Sequence, residues 1–468
     1  MAPRWLRIRD DVPPTGARNR TGSGGSTPMR DIALTTVIFG LLPFVFARPW
    51  FGILLWTWVG LMNPHKLTFG FAYNLPFAEV IGIVTIISIV LSKEPKPLPL
   101  VPPVVLLLAL NAWMVVTTFY ALFPSDAWSQ LEKVAKIQLF TFLTIMVMQS
   151  RDRIKALVWV STLSIAYFGI KGGVYTIMKG GGGMVLGPNG GFIAGNTEIS
   201  LALTMTLPLM RWLQLQTPRP ALKWVLGICM ALVFIAILGS YSRGGFLALF
   251  AMAAAFWLKG NRKFFVGVLL LALVPIFLAI MPEAWWDRMG TIQTFEYDSS
   301  ATARINSWQF GWNMATDKPI VGGGLQAFQP DAFARWAPDP TRVWDSHSIW
   351  VSILAEHGFV GLTLFVVFWV CSWRLGSKIV RATRGLKDYR WAADLATMIQ
   401  VSFIGYWVGG AFLSLAYWDF PYLLVAILVV TQAVVQKSLS QLPTDPRQVI
   451  AIPPLGLGKQ IGQLSRTL

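Results

Sequence analysis

From residue 32 to residue 435 the chain is a succession of apolar runs, several near the roughly 20 residues that a helix needs to cross a bilayer. In hydrocarbon each backbone N–H and C=O must be paired within its own segment, so runs of this kind are helices. Composition agrees: 54% of the 468 residues are hydrophobic and 13% are charged, against about 25% charged in a soluble domain. A chain so poor in charge cannot turn most of its surface to water. The expected fold is all-α, a polytopic membrane protein with no soluble domain appended.

The apolar runs fall at 32–62, 78–91, 102–120, 137–148, 154–178, 198–213, 222–239, 245–258, 264–280, 348–373, 393–415 and 417–435. Arg and Lys gather in four connections between them: 151–155, 219–223, 259–263 and 374–390. Positive loops stay in the cytoplasm, and with alternating crossings these four share one side. The opposite loops, 123–136, 179–197, 240–244 and 281–346, then face outward. Counting back, a cytoplasmic N-terminus requires residues 32–62, interrupted at Arg48-Pro49, to cross once. Two crossings there would place the N-terminus outside, against its six arginines. The expectation is about 12 transmembrane helices with both ends inside. It includes a large external loop at 281–346 between late spans, a disordered cytoplasmic tail at 1–31 and a second at 437–468. The first tail lacks the apolar stretch of a cleaved signal peptide.

The net charge of +17 sits in the loops that set orientation, so nucleic acid is not the expected partner. Two cysteines in apolar spans give no disulfide framework. Three histidines without a Cys/His cluster argue against a bound transition metal. Gly180 to Gly183 and Gly322-Gly323-Gly324 lack the strand–loop–helix context of a nucleotide loop. They read as flexible turns with no phosphate role.

Charges at membrane depth cost about 2.5–3.5 kcal/mol on insertion scales, so each is a functional candidate. On the expected outer side these are Lys133, Lys136, Lys171, Lys179, Arg243, Arg288, Arg304, Arg342 and His347, with scattered acids Glu198, Asp287, Asp298 and Asp345. A rim biased toward cations suits an anionic ligand that is itself in the membrane, such as a lipid-linked phosphate or diphosphate.

Arg243 lies in Ser240-Tyr241-Ser242-Arg243-Gly244-Gly245 between two apolar runs. Serine caps a helix whose N-terminus favours anions, glycine permits close backbone approach, and guanidinium grips phosphate in a fork. The competing reading is an arginine snorkelling at a span end. Arg304, Trp308 and Trp312 recur at helical spacing, as in a helix lying across the outer surface, with Arg304 as ligand or as ordinary surface charge. Arg288 follows Trp285-Trp286-Asp287 and is a weaker candidate of the same kind. The loop tryptophans suit sugar faces, but an interfacial belt covers most of them.

His347 stands where the polar loop enters the run at 348–373. Asp345-Ser346 reads as an N-cap that places His347 in the first helical turn. The positive end of the helix there keeps the ring neutral and able to accept a proton. The alternative is a histidine that only decorates an interface. Glu356 and His357 lie two to three turns deeper and read as structural.

Several of these residues together resemble the O-antigen ligase and polymerase superfamily of bacterial inner-membrane glycosyltransferases. They are Ser242-Arg243-Gly244, Arg304 with Trp308, Pro319 before Gly322-Gly323-Gly324, and His347-Ser348 leading to Glu356-His357-Gly358 and Gly361-Leu362. Met29-Arg30-Asp31 through Arg48-Pro49-Trp50 to Asn63-Pro64-His65-Lys66 is similar to the exosortase-associated putative O-glycosylation ligase branch. The likeness runs from Met29 over nearly the whole chain, and the tail before Met29 departs from it.

The resemblance implies an active site on the periplasmic side of the inner membrane, with the loop 281–346 above it and residues 32–436 as the transmembrane glycosyltransferase domain. It implies a glycan donor on undecaprenyl diphosphate, a lipid A-core acceptor and chemistry that needs neither metal nor cofactor. Carried onto this chain, Arg243 and Arg304, helped by Arg288 or Lys136, hold the diphosphate. His347 takes the proton of the acceptor hydroxyl in a single inverting displacement. A polymerase, with a second lipid-linked glycan as acceptor, and a protein O-oligosaccharyltransferase remain open. So does a transporter, although neither the mid-span charges nor the internal repeat expected of one is evident.

Overall fold

The computed structural model describes residues 28–259 and 299–441, and every regular element among them is helical. The expected span at 264–280, the loop start at 281–298 with Trp285, Trp286 and Arg288, and residues 1–27 and 442–468 of the two tails lie outside the described residues; residues 28–31 and 437–440, expected in the tails, are instead the ends of helices.

The helices are α1 (Pro28–Ala47), α2 (Pro49–Met62), α3 (Phe77–Leu91), α4 (Pro102–Phe119), α5 (Pro124–Val147), α6 (Arg151–Met178), α7 (Asn196–Gln216), α8 (Pro220–Leu238) and α9 (Arg243–Lys259). They are followed by α10 (Ser299–Asp317), α11 (Pro330–Trp336), α12 (Ile349–Ala382), α13 (Arg390–Gly410) and α14 (Asp419–Ser440). Proline opens α2, α4, α5, α8 and α11, where its missing N–H costs nothing because the first amides of a helix have no internal partner. Six of the described helices, α1, α4, α6, α8, α12 and α14, are long and apolar enough to cross a membrane; α2, α3 and α9 are apolar and shorter.

Helix α7 from Ile199 to Leu213 and α14 from Phe420 to Val430 are buried on nearly every face. A helix enclosed on all sides forms the centre of a bundle. α13 packs on α7, where Ser402 Oγ donates to the Met205 carbonyl at 2.7 Å. The periphery shows the reverse pattern: Phe44 on α1 is 61% exposed and Trp224 on α8 is 76% exposed. Apolar surface on that scale fits lipid rather than water.

The expected single crossing over residues 32–62 is corrected. Arg48 is extended (φ −141°, ψ 99°) and Pro49 starts a new helix. α1 turns back on α2, with Ile38, Val45, Leu55 and Val59 in one apolar cluster. The buried Asp31 carboxylate accepts from Gly70 N at 3.1 Å and Ala72 N at 2.8 Å, beyond the far end of α2. The physical cause is local, because proline removes the amide that would have continued α1 and disfavours a helical residue before it.

Three of the four basic connections, 151–155, 219–223 and 374–390, meet at one end of the bundle, and residues 260–263 of the fourth lie outside the described residues. Arg153 pairs with Glu94 at 2.8 Å and lies over the Trp50 ring, Arg151 lies over Trp391, and Trp212 Nε1 donates to the Trp391 carbonyl. The other end gathers residues 63–74, 120–124, 179–196, 239–243, 299–348 and 411–418, and His347 is there.

Candidate active site

The His347 loop is over-determined. Ser348, not Asp345 or Ser346, caps α12, its hydroxyl accepting from Val351 N. His347 therefore lies one residue before the cap and outside the first turn, which corrects the expected placement. Its φ of +43° falls in the left-handed region, a conformation costing on the order of 1–3 kcal/mol for a residue with a β-carbon and kept only when the surroundings impose it. Those surroundings are specific: His347 N donates to Ser414 Oγ at 3.0 Å, Trp308 Nε1 donates to the Ser346 carbonyl at 2.9 Å, and Ser307 Oγ donates to the Trp344 carbonyl at 3.1 Å. The Ser346 hydroxyl, fully buried, lies 2.5 Å from Ser352 Oγ.

Three environments act on the imidazole. Burial, the largest, holds its pKa below the ordinary histidine value of 6.5; Asp345 opposes this and the Arg304 guanidinium reinforces it. The ring is thus neutral near pH 7, mainly through loss of water rather than through a helix pole.

Arg304 reaches the site because α10 is docked onto the loop. Asn306 Nδ2 donates to the carbonyls of Asp339 at 2.9 Å and Arg342 at 3.1 Å, and its Oδ1 accepts from Asp339 N. Behind it Phe310 stacks on Phe333 of α11 at 4.2 Å. Trp336 Nε1 is committed to Asp317, whereas Trp312 is 55% exposed.

Arg243 begins α9 directly after Ser242, whose hydroxyl accepts from Gly245 N at 2.9 Å, the expected serine cap. The preceding Tyr241 has φ +54° and its hydroxyl donates to the Gly181 carbonyl. Gly245 serves packing rather than ligand approach: a β-carbon there would lie 1.9 Å from Ser200 Oγ of α7. A β-carbon at Gly244 would touch Thr197 and Phe412 at 3.5 and 3.6 Å. The Phe412 ring is 6.2 Å from Trp308, and Ser414, two residues on, holds His347. The Arg243 turn, α10 and the His347 loop therefore meet around the α13–α14 connection. Lys136 makes its contacts elsewhere, pairing with Glu132 at 2.7 Å and Glu79 at 3.3 Å on the flank of α5.

Beneath the loop α12 is broken at Gly358 (φ 67°, ψ −170°). The carbonyls freed by the break are taken up from outside the helix: Ala355 O by Gly323 N at 2.8 Å, Glu356 O by Gly324 N at 2.9 Å and His357 O by Trp113 Nε1 at 3.0 Å. Phe359 N donates to Pro319 O at 2.8 Å. Irregular backbone survives at membrane depth only with such partners. Gly322-Gly323-Gly324 is thus a cap for the break, not a flexible turn.

Glu356 and His357, fully enclosed, meet Tyr417 from the α13–α14 connection. Neither Tyr417 nor Ser414 carries a signal in the sequence, since both lie at the edge of an apolar run. The Glu-His-Gly triplet inside a span was the visible cue to the break.

Residues 29–217 match a family of unknown function (DUF5935), and residues 228–366 match the O-Antigen ligase family. The second match contains Arg243, Arg304, His347, Glu356 and Gly358, and stops before Ser414 and Tyr417. No curated protein matches the chain. The segment 228–366, which carries the cations and the imidazole gathered at one end of the bundle, is thus the part of the chain that matches the O-Antigen ligase family, and that match supports membership of the O-antigen ligase superfamily.

Proposed function

We propose that this protein is a glycosyltransferase that moves a glycan from undecaprenyl diphosphate onto a sugar of the lipid A-core, at the periplasmic face of the bacterial inner membrane. One observation carries the reading. A half-buried histidine held in a strained backbone conformation has the Arg304 guanidinium, from a separate helix, acting on its ring. The basic end of the bundle serves as the cytoplasmic end, which turns the His347 end to the periplasm.

In the proposed reaction, neutral His347 takes the proton of the acceptor hydroxyl as its oxygen attacks the anomeric carbon. The bond from that carbon to the diphosphate oxygen breaks, the carbon inverts, and undecaprenyl diphosphate leaves. Arg243 and Arg304 stabilise the charge that develops on the leaving group. Arg288 and Lys136 are proposed as further diphosphate ligands, Lys136 after exchanging its carboxylate partners.

A gene deletion scored on a lipopolysaccharide gel tests the acceptor. Uncapped lipid A-core with accumulated polymer is the expected result. Single-repeat caps would make the protein a polymerase. Unchanged lipopolysaccharide with lost glycoprotein would make it a protein transferase.

The ring environment also fixes a pH response. A base must be neutral, so kcat/KM falls on the acid side as His347 protonates, with that limb below pH 6.5. Arg304→Gln removes a charge that disfavours imidazolium, so the limb moves to higher pH. Asp345→Asn removes a charge that favours it, so the limb moves to lower pH. Profiles of the two variants that move in the same direction would contradict the assignment.

A further inference from the structure

Tyr417 and Ser414 belong to the short connection between α13 and α14; Tyr417 faces the break in α12 and Ser414 faces the loop that precedes α12. Ser414 Oγ accepts the His347 N–H at 3.0 Å. Three residues later the Tyr417 hydroxyl donates to Glu356 Oε2 at 2.5 Å and lies 2.8 Å from His357 Nε2. Glu356 Oε1 accepts from Gln326 N at 2.8 Å, and His357 Nδ1 lies 2.7 Å from Thr117 Oγ1 of α4. Gln326, like His347, has a positive φ, +60°.

A carboxyl group buried at this depth is expensive unless its hydrogen bonds are complete. Both oxygens of Glu356 are bonded, to Tyr417 and to Gln326, and among the described residues it makes no ion pair with Lys or Arg. The remaining atoms of the connection are held as firmly. Tyr406 of α13 donates to Leu415 O at 2.9 Å and Tyr422 of α14 donates to Ala416 O at 2.6 Å. The connection is thus anchored at three consecutive residues and offers Ser414 to the loop at a set position.

We propose that Glu356, Tyr417 and Ser414 form an arm, buried at Glu356 and Tyr417 and half-buried at Ser414, that positions His347. The carboxyl group fixes Tyr417, the tyrosine fixes the connection, and Ser414 holds the backbone of His347 in its left-handed conformation with the ring toward Arg304. None of the three touches the reacting atoms; they are positioning residues. The proposal rests on the reading of His347 as the base, and it reaches beyond the O-Antigen ligase match, which ends at residue 366.

The test uses the purified full chain in lipid nanodiscs with undecaprenyl-diphosphate-linked glycan and lipid A-core. Tyr417→Phe removes one oxygen and Ser414→Ala another. Misplacement of a catalytic group by about 1 Å costs on the order of 10²-fold, so each variant is expected to lower kcat by about 10- to 100-fold with KM nearly unchanged. The double variant is expected to be no worse than the worse single one, because the residues act in series. Ser414→Thr, which keeps the hydroxyl, should restore most of the activity.

A second readout does not depend on turnover. Diethyl pyrocarbonate modification of His347, followed by peptide mass spectrometry with His65 as internal reference, should accelerate in both single variants. Normal turnover in both would overturn the arm, as would lost turnover with an unchanged His347 modification rate. An active His347→Ala variant would remove the base reading alone, since the modification rates would still report whether the arm holds the loop.

Discussion

Purified His347→Ala protein is expected to keep its fold and to lose glycan transfer by about 10²- to 10⁴-fold, the range a positioned general base contributes. The fold should survive because the residue lies in a loop before the helix cap, and its backbone N–H, which alanine retains, makes the bond to Ser414. Alanine bears the same left-handed φ and no greater bulk. Turnover of lipid-linked glycan measured beside the melting temperature separates the two effects. Near-normal turnover would exclude the base role. A lowered melting temperature with proportionate loss of activity would instead make His347 a structural residue.

Gly358→Ala is expected to have the largest effect on stability. The φ/ψ of Gly358 lies in a region that only glycine occupies readily. A β-carbon there would sit 2.4 Å from the Ile320 carbonyl oxygen and 2.6 Å from that of Pro319. Both are backbone atoms in the turn that caps the break, so neither can swing aside as a side chain would. Relief requires the turn to withdraw, which would leave the carbonyls of Ala355 and Glu356 buried without donors, each costing about 1–3 kcal/mol. The expected result is little or no monodisperse protein. Gly385 is the control: its φ of +82° is also positive, but nothing lies within 4 Å of an added β-carbon. Gly385→Ala should cost only about 1 kcal/mol or slightly more. Equal melting temperatures for the two variants would refute the account of the break.

The Gly358 break and the Arg48 turn show where pattern reading stops. In both, the apolar pattern continues through an interruption. Residues 32–62 read as one broken crossing, although Asp31 shows that α1 folds back along α2. The run from residue 348 reads as one helix, although Gly358 divides it. In each case the deciding partners, Gly70 and Ala72 for Asp31 and Gly323 and Gly324 for the freed carbonyls, are distant in sequence.

Taken alone, the sequence determined the apolar surroundings, the helical class, the shared end of the basic connections 151–155, 219–223 and 374–390, and the candidate groups His347, Arg243 and Arg304. Those properties follow from composition and charge, which act locally and leave a periodic trace. Tertiary structure decided the hairpin at Arg48, the glycine cap on α12, the left-handed backbone of His347 and the roles of Ser414 and Tyr417. These depend on hydrogen bonds between segments as far apart as residues 117, 326, 357 and 417. Pairing of that kind is set by how the helices pack and leaves no periodicity along the chain.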